Sequence, residues 1–370
     1  MNRLILIGNG FDLAHGLETR YEDFILDYYR TVIENFCNKK IPYSDPFFKL
    51  NHNETPNIYR MSLPRSMNDI NDIKKFIKNS KEYNIRIDLL SRLMRLGLYN
   101  IMMNNWVDIE REYYEFLIKF LKNNNRSATP TPIPPDIVQL NSDLEYVKEK
   151  LEKYLTRLNI QNMKHIEDNS DAFNKVFFEE IKTDEIVVQK TLMEDKEPET
   201  IYFLNFNYTS TINHYQKWAG GRTLHVNHIH GELNNEKNPV IFGYGDEWDK
   251  EYLEFENLKN DDLFKHVNEH IKSYRYSQTS NYHEMVRFVE SGELQIYIMG
   301  HSCGLSDRTM LRFIFEHENC KSIKIFFHLK DDGTDDYTDK VYNISRHFRD
   351  KGLMRRKVVP KDKSKPMPKL

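Results

Sequence analysis

Leu4-Ile5-Leu6-Ile7-Gly8-Asn9-Gly10-Phe11-Asp12-Leu13-Ala14-His15-Gly16-Leu17 is the stretch that decides the fold. Its four opening apolar residues show no alternation, as expected of a strand covered on both faces of a sheet. Gly8-Asn9-Gly10 breaks the run, and Phe11, Leu13, Tyr21, Phe24 and Ile25 then follow with helix-like spacing. Strand, glycine turn and helix make half of a βαβ unit. Glycine in such a turn lets backbone N–H groups approach a diphosphate, and the start of the helix favours negative charge. Any tight strand-to-helix turn also wants glycine, so both readings stand at this point.

Further strand-like runs lie at 200–206, 223–229, 239–242, 294–299 and 322–327. Most are short, apolar on both sides and followed by glycines or polar turns, which predicts a mostly parallel sheet with helices on both faces. Between the first strand and these runs, apolar residues recur at helical intervals, as in Leu89, Leu90, Leu93 and Leu96 and again in Leu140, Leu144, Val147, Leu151 and Leu155. A proline-rich stretch at 129–135 separates the two sets. The expected organisation is an α/β domain over 1–353 with a helical insert at about 60–195, then a basic, solvated tail at 354–370.

Composition removes several function classes. The 53 Lys and Arg nearly balance 56 Asp and Glu, so no global field draws the molecule to nucleic acid or membrane. No apolar stretch reaches bilayer length. Cys37, Cys303 and Cys320 lack metal-binding or disulfide-framework spacing, so a reducing cytoplasm is expected and no metal. A Walker A loop, an H-E-x-x-H helix and a G-x-S-x-G elbow are all missing from the sequence.

Three more polar turns end strand-like runs, where open α/β sheets collect their ligands. In Asn205-Phe206-Asn207-Tyr208-Thr209, Asn207 either holds a water or ribose hydroxyl or caps the next helix. In His228-Ile229-His230-Gly231, alternation puts both histidines on one face, where one can take a proton from a hydroxyl; a structural histidine is the rival reading, above all for His228. In Gly300-His301-Ser302-Cys303-Gly304-Leu305-Ser306-Asp307, Ser306 or Asp307 is placed to cap a helix, and Cys303 has no nucleophile signature around it. Gly243-Tyr244-Gly245-Asp246 is a further rim loop, and Trp106, Asp108 and Glu110 lie in the helical block with the acids read as facing solvent.

Taken together, the Gly8, Asn205, His228 and Gly300 motifs resemble the bacteriophage abortive-infection AbiH family, from the first strand to about residue 330. That family is in turn similar to the sirtuin-like NAD-binding, Rossmann-type fold. The sirtuin glycine pattern lies over Gly8, Asn9, Gly10, Asp12, Gly16 and Leu17, its T-Q-N-x-D asparagine over Asn207, its catalytic H-G over His230-Gly231, and its G-x-S loop over Gly300 and Ser302. Asp12 stands where a serine is usual, Thr209 stands where an aspartate is usual, and the paired C-x-x-C zinc module is missing.

The resemblance therefore implies an anti-phage NAD glycohydrolase in place of a deacylase. His230 and Asn207 are the implied catalytic residues. Gly8, Asn9, Gly10, Phe11, Asp12, Gly16, Tyr208, Thr209, His228, Gly231, Gly300, His301, Ser302 and Asp307 are implied to hold NAD. A phage-derived trigger and a homo-oligomer are the expected partners, with neither membrane nor nucleic acid. The alternatives are an NAD or ADP-ribose sensor acting through a partner, and a magnesium-dependent nuclease built on Asp108, Glu110 and Asp246.

Overall fold

A computed structural model describes residues 1–39, 41–53, 62–64, 66–95, 108–124, 135–161, 171–187, 194–218, 223–245, 249, 251–253 and 261–369. Its strands are β1 (Asn2–Ile7), β2 (Tyr43–Ser44), β3 (Phe48–His52), β4 (Ile85–Leu89), β5 (Thr200–Asn205), β6 (Thr223–His228), β7 (Leu294–Met299), β8 (Cys320–Phe327) and β9 (Lys365–Pro366). The chain divides into two compact units, Met1–Thr19 with Leu155–Asn257 and His270–Leu370, and Arg20–Tyr154 with Leu258–Glu269.

The first unit holds a six-stranded sheet in the order β6-β5-β1-β7-β8-β9. Every neighbouring pair is parallel. Apolar residues lie on both faces of the strands because both sheet faces are covered. Leu4 and Leu6 of β1 pack with Met285, Val289, Met310, Leu311 and Ile314 from the helices Asn281–Glu290 and Arg308–Glu316. Ile5 and Ile7 face the other way, against Phe11 and Ala14 of the helix Asn9–Ala14 and Phe173 and Phe177 of the helix Asp171–Phe177. Burying such side chains on each face contributes about 1.5–3 kcal/mol apiece.

Two strand expectations need correction. The run at 239–242 forms no strand: Ile241 N–H donates to His230 O at 2.8 Å in a single loop contact, and Pro239 has no N–H to give a ladder. The segment read as purely helical contains β4, which pairs antiparallel with β3. With β2, these strands form the second unit's small sheet. Asp45 closes its β2–β3 turn by accepting from the N–H groups of Phe47 and Phe48 and the hydroxyls of Tyr28 and Tyr43.

The basic segment read as a solvated tail holds the helix Lys351–Lys357 and the edge strand β9. Met367 N–H donates to Phe327 O at 2.8 Å, and its side chain is buried in the sheet's second core. Charge content is a poor guide here, because the lysines have partners: Lys357 donates to the carbonyls of Phe315 and His317, and Lys365 pairs with Glu179. Among the described residues, no helix is long and apolar enough to cross a membrane.

Candidate functional site

The four polar turns follow β1, β5, β6 and β7, so all leave the sheet at its carboxyl edge. Those after β1 and β7 are fused backbone to backbone. Gly8 N–H donates to Met299 O and Gly10 N–H to Gly300 O. A Cβ on Gly300, whose φ is +76°, would lie 2.1 Å from Phe11 N. The glycines at 8, 10 and 300 therefore serve the close approach of two turns, and the Gly8 and Gly10 amides are already spent on it. That corrects the expectation that these amides are free for a diphosphate.

Other members of the opening motif are also structural. Phe11 is fully buried against Phe173, Phe177 and Tyr215. Asn9 Oδ1 accepts from Thr19 Oγ1 at 2.5 Å. Gly16, at φ +76° with open space around it, ends the helix Asn9–Ala14 in the left-handed conformation.

The turn after β5 is organised by Asn205, whose amide group donates to Asn207 O, Thr209 O and His228 Nδ1. With Nδ1 accepting, His228 carries its proton on Nε2, 2.9 Å from Asn213 Oδ1. Burial lowers its pKa. Both nitrogens are committed, and the structural reading of His228 is the one supported. Asn207 neither caps a helix nor stands free: its Nδ2 donates to Gly8 O at 3.0 Å, tying the β5 turn to the β1 turn. Tyr208 donates its hydroxyl to Ile241 O.

Thr209 Oγ1 donates to Asp12 Oδ2 at 2.5 Å. Burial pushes the Asp12 carboxyl up to about 6, offset in part by the polar side chains of Thr209, Thr211 and Asn207 beside it.

Asp307 is the hub of the remaining residues. Its Oδ1 lies 3.1 Å from His230 Nε2 and 3.3 Å from Lys272 Nζ, and its Oδ2 lies 3.6 Å from His301 Nε2. The expectation that Asp307 caps the helix Arg308–Glu316 fails, since its side chain makes no capping hydrogen bond and turns to Lys272 and the two imidazoles instead. Burial disfavours the charge, but Lys272, His230 and His301 outweigh it and hold Asp307 well below the usual carboxylate range. Burial, with Lys272 close by, pushes His230 down to about 4. In the hub the Lys272 ammonium faces the Asp307 carboxylate, and His230 is neutral at pH 7.

His301 accepts from Cys303 N–H on Nδ1, which keeps its proton on the Nε2 facing Asp307. Phe206 packs between the two histidines, its ring 5.1 Å from that of His230 and 4.1 Å from that of His301. Tyr276 OH lies 3.0 Å from His230 Nε2. Gly231, at φ +84°, has no room for a Cβ beside Pro239 O.

Lys272 and Tyr276 were not legible in the sequence. The loop Gly243-Tyr244-Gly245 supplies the connection: Tyr244 pairs with Ile271, and Lys272 N–H donates to Tyr244 O. Cys303 is fully buried and burial pushes its thiol up to about 12, which leaves it inert. Ser302 is exposed, its carbonyl accepting from Asn343.

Asp108 caps the helix Ile109–Asn124, accepting from Arg111 N–H at 3.0 Å. Trp106 and Asp246 lie outside the described residues. Among the described residues, no three His, Cys, Asp or Glu side chains are grouped to hold a metal ion.

No curated protein matches the chain. A family model described as bacteriophage abortive infection AbiH matches residues 4–329, a span that takes in β1 from Leu4 on, all four polar turns and the His230–Asp307 hub. The chain belongs to the AbiH family of bacteriophage abortive infection proteins.

Proposed function

We propose that this protein is an anti-phage effector that binds NAD across the carboxyl ends of β1, β5, β6 and β7 and hydrolyses it to ADP-ribose and nicotinamide. The observation that carries the reading is the His230–Asp307 contact at 3.1 Å, on the edge of a parallel sheet whose strand order reverses at β1. That order is the one used by dinucleotide-binding doubly wound sheets, which take their ligands at the carboxyl ends beside the reversal. The sirtuin-like assignment belongs to this proposal, as do the cytoplasmic setting, a homo-oligomer and a phage-derived trigger.

Nicotinamide in NAD is already a cationic leaving group, so hydrolysis needs a positioned water and support for a sugar carbocation more than it needs an acid. Asp307 accepts from Nε2–H of His230, which fixes the ring and makes Nδ1 the basic nitrogen. From there His230 takes the proton of the attacking water as its oxygen bonds to the ribose carbon, while the electron pair of the broken bond returns to the nicotinamide nitrogen. Asn207 braces the Gly8 turn and presents its amide beside that water. Tyr208, Gly231, His301 and Ser302 line the dinucleotide's path.

Purified protein incubated with NAD should release nicotinamide, measured by chromatography. His230→Ala should lower the rate about 10²–10⁴-fold, the usual contribution of a general base. Asn207→Ala should lower it as well. Unchanged release by His230→Ala would overturn the mechanism, and binding without release would leave an NAD-sensing module.

A further inference from the structure

Asp12 is 1% exposed, and one of its two oxygens has no donor. Thr209 Oγ1 satisfies Oδ2, and Thr211 Oγ1 backs Thr209 at 3.4 Å, while Oδ1 accepts nothing. Leaving a buried carboxylate oxygen bare is costly, and such groups call for a specific cause. Among the described residues, the groups that favour its ionised form are hydroxyls and an amide. Asp307, by contrast, is matched by Lys272. Among the described residues, Asp12 is therefore a carboxylate without a paired cation, between the turns after β1 and β5 and beside the Asn207–Gly8 tie. A diphosphate would be repelled there, whereas a ring with a fixed positive charge would supply what Oδ1 lacks.

We propose that Asp12 faces the pyridinium ring of NAD and makes the site selective for the oxidised, cationic dinucleotide over the reduced, neutral one. The inference rests on the NAD reading above and adds to it the charge state of the ligand and the residue that reads it. The Asp12–Thr209 bond holds the carboxylate in place, so Thr209 is a positioning residue.

The test is calorimetric titration of the full chain with three probes: carba-NAD, which keeps the cationic ring but cannot be hydrolysed, NADH, and ADP-ribose, which has no nicotinamide. Wild type should hold carba-NAD about tenfold more tightly than NADH. Asp12→Asn should bring that ratio close to one and leave ADP-ribose affinity nearly unchanged. A preference that survives Asp12→Asn overturns the proposal. So does a gain in affinity for all three probes, which would mark Asp12 as a group that repels the diphosphate. Asp12→Ser, a second neutral variant with its own hydroxyl, should lose the preference too and stands in if the asparagine variant does not fold. Wild type that binds none of the three removes the NAD reading itself, an outcome distinct from a lost ratio.

Discussion

His230, which follows β6, and Asp307, which follows β7, meet at 3.1 Å although β5 and β1 stand between those two strands in the sheet. Their contact reaches across the point where strand order reverses. It is made by side chains with Nε2 facing Oδ1, and Lys272 joins it from a separate segment.

Breaking that hub should show in stability as well as chemistry. Asp307→Asn removes the buried carboxylate that lies 3.3 Å from Lys272 Nζ, and loss of one partner of a buried pair costs about 3–5 kcal/mol. Lys272→Met combined with Asp307→Asn should recover most of the lost melting temperature and none of the activity. Recovery of both would show that Asp307 only balances charge.

The state of His230 is measurable by nitrogen-detected NMR, where the ring should remain neutral until pH falls to about 4. In the unfolded chain a histidine titrates near 6.5. A folded value below the unfolded one contributes stability that is complete above pH 6.5 and is lost as pH falls from there towards 4, on the order of 3 kcal/mol in total. His230→Gln should flatten that part of the stability curve; an unchanged slope would place the titration elsewhere.

Asp12 should act in the opposite direction. Its folded value, about 6, lies above that of an unfolded aspartate, so the native state favours the protonated form. Stability from this group is present below about pH 4 and is lost as pH rises through 6. Asp12→Asn should therefore be more stable than wild type at pH 7, by on the order of 3 kcal/mol, and about equal to it at pH 4. Denaturant melts at the two pH values separate these outcomes.

Two glycines with the same φ should respond differently to alanine. Gly16→Ala meets open space and should cost about 1–2 kcal/mol for the left-handed backbone alone. Gly300→Ala carries the same penalty and drives its methyl group onto Phe11 N, so it should cost several-fold more by urea denaturation. Equal losses would mean that the turns after β1 and β7 can separate cheaply.

Most of the sheet was legible because β1, β5, β7 and β8 carry apolar residues on both faces, a pattern that burial on both faces imposes directly. Its polar turns were legible for the same reason, since each begins where an apolar run stops. The antiparallel β2–β4 sheet was not, because strands of two to five residues with mixed faces leave no periodicity to read. Within the site, His230 and Asp307 were both singled out, but the hydrogen bond that joins them was not. A carboxylate before a helix looks the same in sequence whether it caps that helix, as Asp108 does, or turns away from it, as Asp307 does. Lys272 is invisible for a similar reason, since lysine is common on surfaces and only the enclosing fold makes this one buried.

The central position of β1 also sets the order in which the molecule can assemble. Its two neighbours, β5 and β7, are encoded about 195 and 290 residues after it. During synthesis β1 therefore waits unpaired while everything between is made, and each pairing closes a long loop at an entropic cost. Folding of this sheet should be slow and late, and a nascent chain that stalls before residue 294 would present Leu4–Ile7 with one edge open to aggregation.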